Sequence, residues 1–374
     1  DIAGQYQGSW VRLSDDAGVT WGQPIRVPVS SPHGSIPLRN GDILYLGKPF
    51  ATRDDMQYAP ITAARSRDGG QTWDAQPFPG KTHGGRGLSA DEHLNEELWV
   101  ANHLDGPEGP QPSPGNIDFA HPDFALMCAR TNLHAGSRSW FYYSYDRGQN
   151  WQGPYDLPTA HLLPSGEPGI SARTNYIVDD RHTCTLFLTA VKSNGREGSV
   201  FCVRTLDDGK TFDFLSWVTP EPEGYTIMPA ALRLSPSRLL CAVRCSGPRT
   251  GPERPPCWID LYASNDNGAT WHFFNRSVAD AGLGGNPPTL TRLHDGRLLI
   301  TYGYRNAPYA ILATLSSDAG ASWESPMTLR AGAGNHDIGY PRTTQLDDGT
   351  VVTAYYWNDN AAGDRYIAAT LWQP

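Results

Sequence analysis

The stretch SRDGGQTW at Ser66–Trp73 decides the fold, because nearly the same eight residues recur along the chain. SDDAGVTW starts at Ser14, SYDRGQNW at Ser144, TLDDGKTF at Thr205, SNDNGATW at Ser264 and SSDAGASW at Ser316, giving six copies of Ser/Thr-x-Asp-x-Gly-x-x-Trp/Phe with starts 52, 78, 61, 59 and 52 residues apart. The residues before each copy alternate as a strand does, as in PITAARS and YAILATLS. Asp and Gly make a tight turn, the Asp carboxylate accepting nearby backbone N–H groups. The aromatic residue then opens the next strand and packs under the turn. Six equivalent turns around a ring cannot all line one site, so the boxes are structural clasps.

A second repeat precedes the box. Ile36–Lys48, Leu290–Arg305 and Thr343–Trp357 each read strand, Asx-Gly turn, strand, and Ala231–Arg244 and Asn175–Lys192 are looser copies. An inner pair, a third strand, the box and an outer strand make a four-stranded unit, and units repeating at this period build a propeller. Units fall at 33–81, 82–158, 165–220, 225–282, 286–332 and 338–374, with a half-unit at 5–30. The expected fold is therefore an all-β, seven-bladed propeller forming one domain over 1–374, with a six-bladed ring closed by the N-terminal strands as the alternative. The Pro/Gly-rich segment Asp105–Asp123 is too long for a passive turn and reads as a lid.

Composition agrees. The 374 residues hold 39 Gly and 31 Pro, which suits many short strands and turns. The net charge of −9 argues against nucleic-acid binding, and no apolar stretch is long enough to span a membrane. The six cysteines lack metal-like spacing, and Cys245 and Cys257 are placed to face each other across a hairpin, either as a disulfide or as buried thiols. The chain opens without an initiator Met, as a mature or trimmed form would, and Asn275 starts an Asn-Arg-Ser sequon; a secreted protein is expected. There is no nucleotide or metal motif, so no cofactor is expected; a structural Ca²⁺ or Zn²⁺ stays compatible with the sequence.

In an antiparallel inner pair, the start of the first strand and the end of the second share one side, and around a ring those ends converge. The second-strand ends read Lys48, His103, Lys192, Arg244, Arg305 and Tyr355–Trp357. The first-strand starts read His33, His83 with Arg86, Arg173, Tyr225, Asn286, and Tyr340 with Arg342. An acidic protein has gathered cations and aromatics at one rim, which predicts an anionic ligand, since Arg forks a carboxylate bidentately. Carboxylates are scarce there: Glu167 and Asp337 are the candidates for the pair a standard glycosidase needs.

Six boxes on a four-strand repeat resemble the sialidase superfamily of Asp-box (BNR repeat) propellers over essentially the whole chain. That resemblance implies the fold; the same scaffold carries sialidases, other glycosidases, lyases and binding proteins. It also implies that Arg244 and Arg305 are two carboxylate-binding arginines and Tyr340 a nucleophile. Two departures count against sialic acid: TIMPAAL stands where the glutamate partner of that tyrosine is expected, and the Arg-Ile-Pro element is absent. The pair His83 and His103 resembles instead the ulvan lyases and the rhamnosyl-glucuronate lyase/α-L-rhamnosidase group. There, histidines do acid–base work while Arg and Tyr hold the uronate; Arg173 and Tyr155 are the nearest counterparts. The expected activity is thus β-elimination at a rhamnose–glucuronic acid linkage of an anionic oligo- or polysaccharide. The rivals are an exo-acting glycosidase and a non-catalytic glycan-binding propeller.

Overall fold

The computed structural model describes residues 9–13, 20–30, 36–37, 43–49, 62–77, 110–130, 133–148, 150–164, 166, 168–361 and 365–374. Strands are the main regular structure of these residues, joined by turns and loops. The helix among them is the single turn α1 (Thr159–Leu162).

Three antiparallel blades have four strands in chain order: β11 (Ile170–Val178) to β14 (Asp213–Trp217), β15 (Tyr225–Arg233) to β18 (His272–Val278), and β19 (Thr289–Arg292) to β22 (Met327–Ala331). In the first of these, β12 (Cys184–Val191) pairs with β13 (Glu197–Thr205). In the second, β16 (Leu239–Ser246) pairs with β17 (Cys257–Ser264), and in the third β20 (Leu298–Tyr304) pairs with β21 (Ala310–Ser316). A fourth blade uses β3 (Val29–Ser30) and β4 (Ile36–Pro37), both on β5 (Ile43–Pro49), followed by β6 (Thr62–Ser66) and β7 (Asp74–Pro77). The fifth joins the chain ends: β23 (Gly339–Gln345), β24 (Val351–Trp357) and β25 (Tyr366–Trp372), then β1 (Ser9–Arg12) and β2 (Ile25–Val27). The remaining sheet, β8 (Ala125–Arg130), β9 (Ser139–Ser144) and β10 (Gln152–Leu157), has three strands.

The described residues thus show five blades of four or more strands beside a three-stranded sheet. This corrects the expected seven-bladed ring, and the six-bladed alternative is not what they show either. The N-terminal strands make no half-blade of their own. β1 runs parallel to β25, pairing Val11 with Ile367 and Arg12 with Ala368, and β2 folds back on β1. Arg330 locks this junction, its guanidinium lying 4.3 Å from the Trp21 ring and 4.4 Å from the Trp357 ring. The sheets follow one another around the ring, with packing contacts from β8 to β11, β11 to β15, β15 to β19, β19 to β23 and β23 to β4.

The described boxes lie between third and fourth strands of the four-stranded blades, between β6 and β7, and between β9 and β10 of the three-stranded sheet. In the Ser66 box, Ser66 Oγ bonds Asp68 (2.8 Å) and accepts from the Gly70 N–H (2.7 Å), while Asp68 accepts from the Thr72 N–H (2.8 Å). The boxes at Ser144, Thr205, Ser264 and Ser316 repeat the pattern. A box also leans on its neighbour. Asn275 Nδ2, on β18, donates to the Gly320 carbonyl in the next box at 2.6 Å, so the sequon asparagine is spent on inter-blade contact.

Two further expectations change. The described part of the presumed lid, residues 110–123, is packed against the fold: Ile117 and Phe119 are buried, and Ile117 donates its N–H to the Asp208 carbonyl in the Thr205 box. Cys245 pairs with Trp258 and Cys257 with Ser246, so the two thiols occupy alternate positions and point to opposite faces of the sheet; all six cysteines are free.

Candidate active site

Inner-pair register brings first-strand starts and second-strand ends to one side, as the sequence suggests: Ile227 pairs with Arg244 and Gly339 with Tyr356. Three first strands break register near their starts. The breaks fall between Ser171 and Asn175, Ile227 and Ala230, and Gly339 and Arg342, and they enclose Arg173, Met228 and Tyr340. Met228 and Tyr340 have φ of +55° and +49°, values a non-glycine residue rarely adopts. A bulge bends the strand and re-aims a side chain.

Tyr340 is held in that conformation. The buried Asn286 accepts its N–H at 2.5 Å and donates from Nδ2 to the Ile338 carbonyl at 2.8 Å. Gly339, at φ +112°, leaves the room: a Cβ there would lie 2.3 Å from Asn286 Oδ1. Around the ring stand arginines. Arg305 donates to the Ile338 carbonyl (3.0 Å) and to the Tyr356 hydroxyl (2.7 Å), and lies 5.8 Å from the Tyr340 ring centroid. Arg244 donates to the Tyr225 hydroxyl (3.1 Å) and to the Gly284 carbonyl, and its Nη1 lies 3.3 Å from Met228 Sδ. Arg173 is paired bidentately with Glu197, at 2.5 and 3.0 Å.

Burial pushes the Tyr340 phenol up, but Arg244, Arg173 and Arg305 outweigh it against the opposing charge of Glu197, leaving its pKa below that of an ordinary tyrosine. The adjacent Tyr356 goes the other way. Burial raises it well above the usual range despite Arg305, and its hydroxyl donates to Asp337 at 2.8 Å. Arg342 is solvent-exposed, yet the surrounding protein desolvates its charge and lowers its pKa, with Tyr340 opposing. The two tyrosines are thereby differentiated: the arginines favour ionisation of Tyr340, while burial disfavours that of Tyr356.

Arg173, Arg244, Arg305, Tyr340 and Arg342 of the expected set are brought together. Lys192 is spent elsewhere: buried, it donates from Nζ to the carbonyls of Pro222 (3.0 Å), Glu223 (3.3 Å) and Gly224 (2.5 Å). Tyr155 stands on the outer strand β10, stacked on Tyr143 and packed on Phe141, away from the arginines. His33, His83, Arg86, His103 and Glu167 lie outside the described residues, and Lys48 is placed by its backbone alone, opposite Ser30. Asp337 is paired with Arg365 at 2.9 Å. Glu197 and Arg130 were missed. Glu197 opens a third strand, and Arg130 ends β8, a strand the repeat pattern does not mark. Among the described residues there is no group of three or more His, Cys, Asp or Glu side chains suited to a metal ion.

The BNR repeat-like domain family matches residues 124–353, more than half the chain, and the protein belongs to that family. Among solved structures it is similar to a protein of unknown function from Dyadobacter fermentans (20% identity, TM-score 0.63, covering 92% of this chain and 96% of that one). It is also similar to the Hadza microbial sialidase Hz136 (16%, 0.58, 90% and 65%) and to the α-L-arabinofuranosidase Arb93A of Fusarium graminearum (13%, 0.56, 98% and 97%). At these identities the likeness establishes the propeller fold. No curated protein matches the sequence.

Proposed function

We propose that this chain is a carbohydrate-active enzyme acting on a sugar that carries a carboxylate, with Tyr340 as the reacting group. The observation carrying this reading is Tyr340 itself, set among Arg173, Arg244 and Arg305 with its phenol acidified. A carboxylate on the substrate would be forked by Arg244 and Arg305, whose remaining hydrogen bonds to carbonyls and tyrosines fix their planes. A neutral phenol suits attack beside a bound carboxylate, because an anionic nucleophile would be repelled. In the glycosidase route, Tyr340 Oη bonds to the anomeric carbon as the bond to the glycosidic oxygen breaks; the phenol gives up its proton, the leaving oxygen gains one and departs as an alcohol, and water then cleaves the tyrosyl–sugar bond and restores the phenol. The sialidase and arabinofuranosidase names of two structural neighbours support hydrolysis.

The second route is β-elimination at a rhamnose–glucuronate linkage. What favours it is the same cluster of guanidiniums, which would stabilise the enolate-like state formed when the C5 proton leaves. Its proton carriers would be His83 and His103.

One experiment separates the routes. The protein is incubated in ¹⁸O-water with sialosides, uronides and rhamnosyl-glucuronate glycans, and ultraviolet absorbance and product mass are recorded. Hydrolysis gives saturated, labelled sugars; elimination gives an absorbing, unlabelled uronate. Tyr340→Phe should lower hydrolysis by at least about 10²-fold. Turnover confined to uncharged sugars would refute carboxylate recognition.

A further inference from the structure

Arg130 ends β8, the strand packed against β11, and so stands one blade beyond Arg173 on the side away from Arg305. Its Nε is buried without a hydrogen-bond partner, and no described residue forms an ion pair with it. Burial, with Arg173 adding to it, lowers its pKa to about 10, against the opposing charges of Glu197 and Tyr340, so it remains a cation at neutral pH. It therefore belongs to the same electrostatic cluster as the reacting tyrosine.

Among the described residues, the charges around Tyr340 do not balance. Arg130, Arg173, Arg244, Arg305 and Arg342 supply five guanidiniums. Of the nearby carboxylates, Glu197 is taken by Arg173 and Asp337 by Arg365. One ligand carboxylate held by Arg244 and Arg305 leaves Arg130 uncompensated by any described carboxylate, and a desolvated charge without a partner is costly. Arg130 comes from a different sheet than Arg244 and Arg305, with the sheet of Arg173 between.

We propose that the site has a second anion subsite at Arg130, so that its preferred ligand is a sugar chain bearing at least two negative groups. This rests on the acidic-sugar reading above and extends it to the neighbouring sugar or substituent. The shared chemistry is an oxyanion able to accept from a guanidinium, either a second carboxylate or a sulfate ester.

The test measures binding of three probes by calorimetry: methyl glucuronoside, a glucuronic acid disaccharide with two carboxylates, and a sulfated methyl glucuronoside. Wild type should bind at least one dianion roughly 10- to 100-fold more tightly than the monoanion, the range of a charge-assisted hydrogen bond. Arg130→Gln should shrink that advantage towards unity, and Arg130→Lys should restore part of it, while Arg244→Gln should weaken monoanion and dianion alike. The dianion that depends on Arg130 identifies the second group as carboxylate or sulfate. Thermal melting of each variant separates misfolding from lost contact, and the Lys variant serves if the Gln variant is unstable. Wild type binding all three probes equally, or binding none, overturns the second subsite, as does an unchanged advantage in Arg130→Gln. Loss of Arg244 without effect on any probe overturns the carboxylate site instead.

Discussion

Glu197 grips Arg173 through both carboxylate oxygens, and the same carboxylate opposes the acidification of Tyr340. One glutamate thus restrains two members of the site: it fixes the plane of a guanidinium and holds the phenol pKa higher than the arginines alone would set it.

Replacing Glu197 with Gln removes the opposing charge while keeping a side chain able to reach Arg173. The phenol of Tyr340 should then ionise at a lower pH than in the wild type, because Arg173, Arg244 and Arg305 act unopposed. Ultraviolet difference titration, with Tyr340→Phe as the reference that removes the signal, measures this directly. An upward shift would show that Glu197 does not act on Tyr340 as its charge requires.

Gly339→Ala should disable the site out of proportion to its effect on the fold. An added Cβ would meet Asn286 Oδ1 at 2.3 Å, and that oxygen is what accepts the Tyr340 N–H. Left-handed backbone at a non-glycine residue costs on the order of 1–3 kcal/mol, which Asn286 helps to hold in place at Tyr340. Turnover of an acidic glycoside should fall more steeply than the melting temperature; parallel losses would mean that Gly339 serves packing alone.

The boxes predict how the protein meets acid. Side-chain and backbone hydrogen bonds from Thr72, Thr270 and Ser322 lower Asp68, Asp266 and Asp318 from the ordinary 3.8 to about 2. A carboxylate depressed in the folded state stabilises it above the unfolded pKa, and that contribution disappears as pH falls through the folded value. Stability should therefore decline between about pH 4 and pH 2, read by urea denaturation at each pH. Asp68→Asn should flatten part of that slope. An identical slope in the variant would place the acid sensitivity elsewhere.

The boxes, the inner pairs and the shared side of their ends are legible in the sequence because each depends on local chemistry: an Asx-Gly turn, alternation, a strand end. Arg173, Arg244, Arg305 and Tyr340 follow from that geometry. The blade count does not, since only the pairing of β1 with β25 across the whole chain shows that Ser9–Arg12 completes a blade instead of starting one. The bulges at Met228 and Tyr340 escape notice because their positive φ is imposed by tertiary contacts such as Asn286. Glu197 escapes because a search confined to first and second strands skips the start of the third. Lys192 misleads for the opposite reason: its position is right, but carbonyls of the following loop consume its ammonium.

The parallel union of β1 with β25 also has a bearing on how the chain is made. Val11 leaves the ribosome before Ile367 has been synthesised, so the first hairpin must wait with an unpaired edge until translation is all but finished. Contacts of such sequence separation form late and slowly, and an exposed edge in the interval invites pairing with another nascent chain. Expression yield, more than equilibrium stability, is where damage to Val11, Trp21 or Arg330 should first be felt.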